Sequence, residues 1–336
     1  MNAIIGEPVS RVDGPAKVTG QAVYAAEFKL PRLAYAAIVT STIPRGRVSG
    51  IDAAEAERTP GVLAVITHEN ADRLPYRELE KRPQVDPQSG DQLRVFQGPE
   101  VLFSGQPIAV VVAETQQDAD GAARLIRVTY AVEEPTTVFD PTNGKPTSEA
   151  TRKLGRGGDS ERGEADAAVE RAPVRIDMTC SHARQHHNAM EPHATIAEGD
   201  GDRLTLYDKS QWVNNVRLEI AHIFGMPEDK IRVISPFVGG AFGSALRTWP
   251  HVTIAALAAR RVRRPVRVEL TRRECYTSIG FRPHTRLRVA LGAERDGRLS
   301  GVVQEAWGQT SEYEEYAETT VEPARTTYSC PNLRTQ

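Results

Sequence analysis

The glycines of Pro236-Phe237-Val238-Gly239-Gly240-Ala241-Phe242-Gly243-Ser244 are the residues best suited to chemistry in this sequence. Ile231 to Ser235 before them reads as a strand, and His251 to Arg261 after them as an Ala-rich helix. A strand ending in glycines ahead of a helix exposes backbone N–H groups, which suit an oxyanion, a phosphate or an oxo group on a metal. The spacing is neither GxGxxG nor a phosphate loop closed by Gly-Lys-Ser/Thr. On spacing alone it reads equally as a tight turn that lets strand and helix pack.

Three further constellations could hold a ligand. His182, His186, His187, His193 and Glu191 fall within twelve residues, and imidazole with carboxylate is a donor set that metals accept. Pro192 and strand-like flanks deny them the helical i,i+4 geometry of HExxH, so polar packing in a cleft competes with a metal site. Ser210-Gln211-Trp212 stands between a strand end and a helix start. Ser210 reads as an N-cap, whereas Gln211 carries one acceptor and two donors that could grip a ligand oxygen or simply be solvated. Arg282, in Gly280-Phe-Arg-Pro-His284, could hold an anionic or polarised group, or be a surface arginine in a loop.

The elements that must position these residues divide at glycine and proline. Leu33 to Thr40, Val62 to Thr67 and Pro107 to Ala113 read as buried strands, with short helices over Ile51 to Arg58 and from Thr115. The strand-like Leu125 to Tyr130 completes a small α/β unit that ends near Val132. Residues 133–166 are polar and rich in Gly and Pro, the composition of a linker. Beyond them come a strand over Val174 to Cys180 and a hairpin turning at Gly199 to Asp202. Val213, Val216, Ile220, Ile223 and Phe224 mark an amphipathic helix stopped by Gly225. A strand over Pro265 to Leu270 follows, then two more, Arg286 to Leu291 and Leu299 to Gln304, around the turn Asp296–Gly297.

Composition narrows the function classes. The 336 residues carry 42 Lys+Arg and 44 Asp+Glu, a net charge of −2, which argues against nucleic acid as the main partner. No run approaches the ~20 apolar residues of a membrane helix, and no secretory signal is visible, so a cytoplasmic location is expected. Cys180, Cys275 and Cys330 are too scattered for a disulfide framework, a zinc site or an iron–sulfur motif. Redox work would need a bound cofactor.

Taken in order, Arg11-Val-Asp-Gly-Pro-Ala-Lys-Val-Thr-Gly20, Arg184-Gln-His-His-Asn-Ala-Met-Glu-Pro-His193, the Ser210-Gln211 helix start and the glycine loop resemble the molybdenum-binding large subunit of the xanthine dehydrogenase/aldehyde oxidoreductase family. The resemblance implies an α+β chain: an α/β hammerhead domain over 18–132, the linker 133–166, and the first, incomplete part of a molybdopterin-binding domain over 167–336. It implies that Gln211, Gly240, Ala241, Phe242 and Gly243 bind a molybdenum cofactor, in the molybdopterin cytosine dinucleotide form, with no side chain ligating the metal directly. Glu191 and His193 would line or brace the substrate cleft, and Arg282 would contact the substrate. The family hydroxylates aldehydes or N-heteroaromatics with oxygen from water, a glutamate acting as base, and passes electrons to [2Fe–2S] clusters and FAD. The cysteines here ligate no cluster, so the resemblance places those groups on partner Fe–S and FAD subunits; co-export with one would make a periplasmic location the alternative.

The departure is length. The family's large subunit is about twice as long, and its catalytic glutamate lies in a C-terminal half with no counterpart here. The base is therefore expected outside this chain, and the chain alone is expected to be inactive. Two other classes compete: a catalytically silent scaffold that docks partner subunits, which predicts no molybdenum, and a protein that binds ordinary nucleotides at the glycine loop.

Overall fold

A computed structural model describes residues 6–77, 93–153, 157–199, 201–311 and 313–336. The chain forms two compact units, each built from two separated stretches. One joins Met1–Glu133 to Asn188–Ile279, and the other joins Glu134–His187 to Gly280–Gln336.

The first unit carries β1 (Ala34–Thr40), β2 (Gly46–Asp52), β3 (Val62–Thr67), β4 (Glu100–Val101), β5 (Pro107–Ala113) and β6 (Arg127–Val132) from its first stretch. The second unit's β7 (Ser160–Arg162) and β8 (Val174–His182) come next in the chain. The first unit then resumes with β9 (Ala194–Gly199), β10 (Leu204–Asp208), β11 (Ile231–Ile234) and β12 (Val266–Glu269). Its main sheet has seven strands in the order β11-β10-β9-β12-β1-β5-β3, and β4-β2-β6 form a small separate sheet. The small α/β unit expected to end near Val132 therefore shares its sheet with strands from beyond residue 188. The seam is the parallel pair of β1 and β12, with Ala34 opposite Val266.

Every residue of β5 is buried, as a continuous apolar run implies for a strand covered on both faces. Val110 and Val112 pack into the main core, while Ala109 and Val111 meet Ala122 of the helix Gln116–Ala123 on the other face. Thr115 caps that helix by accepting the Asp118 N–H. The helices Val213–Phe224 and Pro250–Val262 close the main core, the first ending at Gly225 in the left-handed conformation. One expected helix shrinks to Ala54–Glu57, because Val48 and Ile51 just before it are drawn into β2 and its pairing with β6.

The second unit holds β7 and β8 with β13 (Thr285–Ala293), β14 (Leu299–Gly308) and β15 (Leu333–Thr335), ordered β7-β15-β14-β13-β8. The helix Ala165–Arg171 packs on β13 and β14 through Ala165, Ala290, Val303 and Val169. The 133–166 segment is thus more than a linker: β7 lies within it, paired antiparallel with β15. Its three-residue strand is too short and polar to show in a hydrophobic pattern.

Candidate functional site

Strand direction brings the chemistry-bearing segments together. β10 and β11 are parallel neighbours, with Tyr207 opposite Ile234, so the chain leaves both at the same end of the sheet. Ser210-Gln211 follows β10, and the glycine loop follows β11. β9 is antiparallel to β10, Thr195 facing Asp208, so the segment 188–193 enters at that end too. The carboxyl ends of parallel strands are where open α/β sheets bind ligands. Ser235 ties two of the segments: its Oγ accepts the Ser210 N–H at 3.2 Å and donates to the Ser210 carbonyl at 3.1 Å.

Gln211 fastens the far side of the glycine loop. Its Oε1 accepts the N–H groups of Gly243 (3.1 Å) and Ala245 (3.3 Å), and its own N–H donates to the Ala245 carbonyl at 2.9 Å. Ser210 is no helix cap, since Trp212 takes the cap position; the Ser210 hydroxyl accepts the Trp212 N–H instead. Glu191 fastens the near side, its Oε2 accepting the Gly239 N–H at 2.6 Å. Between these anchors the N–H groups of Gly240, Ala241 and Phe242 make no hydrogen bond among the described residues.

Gly240, Phe242 and Gly243 all have positive φ, at +89°, +56° and +96°. For a residue as bulky as Phe242, which is 74% exposed, that conformation is a genuine outlier. Strain of this kind persists only where surrounding contacts over-determine it, and it concentrates at ligand clamps. The loop is a short run of unengaged donors held open from both ends.

A buried polar cluster surrounds the end of β10. Thr195 donates to Asp208 at 2.5 Å, and His251 Nε2 lies 3.9 Å from the same carboxylate. Burial pushes the Asp208 carboxyl up to about 7 and the His251 imidazole down to about 3, so each favours its neutral form. His193 stacks on His251 with ring centroids 5.7 Å apart. Burial also raises Glu191 above the usual carboxylate range, opposed by the Gly239 amide, and lowers Lys209.

His193, expected to line or brace the cleft, is only 2% exposed and packs in the interior, a place that leaves it only the bracing role. It directly precedes β9, where Ala194 and Thr195 on opposite faces are both enclosed, and the His193 carbonyl accepts the Leu270 N–H. Glu191 and Gln211 meet the loop directly. Arg282 belongs to the other unit, where its backbone pairs with Gln185 and its side chain is exposed. The described residues include no group of three His, Cys, Asp or Glu side chains able to hold a metal ion, and no helix long and apolar enough to cross a membrane.

Two family models match the chain. Residues 19–134 match the aldehyde oxidase and xanthine dehydrogenase a/b hammerhead domain, and residues 147–336 match the molybdopterin cofactor-binding domain. This chain belongs to the aldehyde oxidase and xanthine dehydrogenase family. It is 36% identical over 316 residues to the aldehyde oxidoreductase molybdenum-binding subunit of Escherichia coli (strain K12), covering 90% of this chain and 40% of that protein. It is 31% identical over 348 residues to a probable xanthine dehydrogenase subunit of Bacillus subtilis (strain 168), covering 99% and 44%. Among solved structures, the aldehyde oxidoreductase of Desulfovibrio gigas superposes with a TM-score of 0.78 at 26% identity, over 97% of this chain and 37% of that one. The chain thus spans less than half the length of these relatives. The α+β reading, hammerhead first and molybdopterin-binding region second, is that of this family.

The sequence reading missed Asp208, Lys209, His251 and Arg272. Asp208 had a signal: Leu204, Leu206 and Asp208 alternate on one face of β10, and the two leucines mark that face as buried. Arg272 had none, since its contacts lie more than 80 residues away.

Proposed function

We propose that this chain supplies the glycine-loop side of a molybdenum-cofactor site in a hydroxylase acting on aldehydes or N-heteroaromatic compounds. The observation that carries the reading is the run of unengaged amides at 240–242 between two anchored ends. The donor chemistry fits the group: backbone N–H groups and the Gln211 amide are neutral donors suited to the oxygens and phosphates of such a cofactor. Gly243 adds room, because a Cβ there would meet nothing within 4 Å.

When bound, the cofactor supplies a two-electron oxidation that inserts oxygen from water. The chain's own residues bind and orient it. Phe242 and its neighbours present N–H groups; the Gly243 N–H, engaged by Gln211, serves the loop's shape instead. Gln211 Nε2 makes no hydrogen bond among the described residues and remains available to donate. Glu191 is not offered as the base, because its Oε2 is committed to Gly239. A base, the cytosine dinucleotide form of the cofactor, and electron transfer to [2Fe–2S] and FAD on partner subunits complete the proposal, in line with the multi-subunit relatives.

The test is to produce this chain together with the polypeptide matching the rest of its relatives' length and with Fe–S and FAD subunits. Molybdenum, released cytosine nucleotide and aldehyde-dependent dye reduction are then measured. About one molybdenum per chain is expected. A folded complex without molybdenum, or one that binds ordinary nucleotides in its place, would falsify the proposal.

A further inference from the structure

Three consecutive carbonyls, at Ala189, Met190 and Glu191, are each gripped by a cationic side chain from elsewhere in the chain. Arg272 donates through one terminal nitrogen to the Ala189 carbonyl (2.6 Å) and to Asn188 Oδ1 (3.2 Å), and through the other to the Met190 carbonyl (2.9 Å). Lys209 Nζ donates to the Glu191 carbonyl at 2.6 Å. Hydrogen bonds with one ionised partner are about twice as strong as neutral ones, and a guanidinium holds its acceptors in a fixed plane.

The segment held in this way delivers Glu191 to the entrance of the glycine loop. The contact is reciprocal: Glu191 Oε2 accepts the Gly239 N–H at 2.6 Å, and the Glu191 N–H donates to the Gly239 carbonyl at 3.1 Å. It is also close, since a Cβ on Gly239 would lie 2.7 Å from the Glu191 Cβ. The loop's positive-φ residues all lie just beyond this contact.

We propose that Glu191, anchored by Arg272 and Lys209, is a positioning residue that fixes the entrance of the glycine loop and so aims the 240–242 amides at the cofactor. The aiming rests on the molybdenum-cofactor reading; the fixing does not. Glu191 acts through the backbone of Gly239 and touches no reacting group.

The experiment compares the full 336-residue chain, free of cofactor, with Glu191→Ala, Glu191→Gln and Arg272→Lys by amide hydrogen exchange. Glu191→Ala removes the acceptor, and exchange at the loop's two hydrogen-bonded amides, Gly239 and Gly243, should accelerate, at Gly239 about tenfold, the effect of one lost hydrogen bond. Peptides from β5 and the helix Pro250–Val262 should keep their wild-type rates. Glu191→Gln still offers an oxygen to the Gly239 N–H and should restore slow exchange. Arg272→Lys, which cannot span both carbonyls, should fall between. In the loaded complex the same series should order molybdenum content as wild type, Glu191→Gln, then Glu191→Ala.

Unchanged exchange at the Gly239 and Gly243 amides in Glu191→Ala, or acceleration shared with β5, would overturn the positioning role. A wild-type complex lacking molybdenum would overturn the aiming at a cofactor, while the exchange data alone would still decide whether Glu191 fixes the loop.

Discussion

Gln211 Oε1 lies 3.1 Å from the amide nitrogen of Gly243 and 3.3 Å from that of Ala245, so a single side-chain oxygen caps two backbone donors. Oxygen and nitrogen of this amide are therefore distinguishable by role: the oxygen shapes the loop, and the nitrogen is left for a ligand. Gln211→Glu keeps the acceptor and deletes the donor. We expect it to melt within about 0.5 kcal/mol of wild type and to lose molybdenum. Gln211→Ala deletes both and should cost about 1–2 kcal/mol of stability as well. Calorimetry with metal analysis separates them, and wild-type molybdenum in Gln211→Glu would remove the nitrogen from the site.

A second prediction follows from Asp208. Its carboxyl is fully enclosed and faces Thr195, His251, Lys209 and Glu191. The folded value of about 7 lies above the ordinary 3.8, so the folded chain keeps a proton that the unfolded chain releases. That proton contributes no difference below about pH 4, and its retention destabilises the fold increasingly as pH rises to about 7. Asp208→Asn stays neutral throughout while keeping an acceptor for Thr195. Its stability relative to wild type should therefore grow between pH 4 and 7, by on the order of 1 kcal/mol per pH unit. Denaturant titrations across that range check the slope; a difference that stays flat with pH would mean that Asp208 is ionised in the fold.

His251 runs the opposite way and sharpens the test. Its folded value of about 3 lies below 6.5, so the unfolded chain takes up a proton as pH falls and the fold weakens. In wild type the two slopes oppose each other between about pH 4 and 6.5. Asp208→Asn should therefore show a steeper loss on acidification than wild type does.

Burial separates two isoleucines that the sequence pattern treats alike. Ile196 in β9 is fully enclosed, whereas Ile176 on the edge strand β8 is 51% exposed, with Val174 and Met178 exposed on the same face. Ile196→Ala should cost about 2–5 kcal/mol through lost burial and a residual cavity. Ile176→Ala should cost under about 1 kcal/mol. Equal losses in chemical denaturation would contradict the enclosed position of β9.

The strands of this fold were largely legible because they are long apolar or alternating runs: β5, β9, β10, β13 and β14 all fall where the pattern puts them. The shared sheet was not. Whether β1 pairs with β12, 232 residues away at Ala34 and Val266, depends on three-dimensional packing that no local period records. The site divides in the same way. Gln211 and the glycines announce themselves by residue type and by the elements flanking them. Arg272 and Lys209 act on backbone carbonyls, which any residue can provide, so nothing in the sequence marks their targets. His193 is enclosed for a related reason: it directly precedes β9, whose first four residues are all buried, and no local period shows that a short strand is covered on both faces.

The last prediction concerns the segment that composition reads as a linker. Gly292 on β13 and Gly301 on β14 are direct cross-strand partners, and together they make a floor without side chains beneath the helix Ala165–Arg171. A Cβ on Gly301 would lie 2.9 Å from the Ala165 carbonyl oxygen and 2.9 Å from the Val169 nitrogen. A Cβ on Gly292 would lie 2.9 Å from the Val169 Cα. These are backbone atoms of the helix and cannot swing aside, so an added methyl group must lift the helix as a body. Gly301→Ala should cost about 1–3 kcal/mol, the range for overpacking, and should loosen β7 and the helix together. Gly297, in the turn joining the same two strands, is the control: a Cβ there meets nothing within 4 Å, and only its φ of +89° opposes a side chain. Gly297→Ala should cost about 1 kcal/mol from backbone strain without lifting the helix. Limited proteolysis read by mass spectrometry distinguishes the two, because only Gly301→Ala should open new cleavage sites between Arg162 and Arg171. If Gly301→Ala melts and cleaves like wild type, the helix is not seated on this glycine pair.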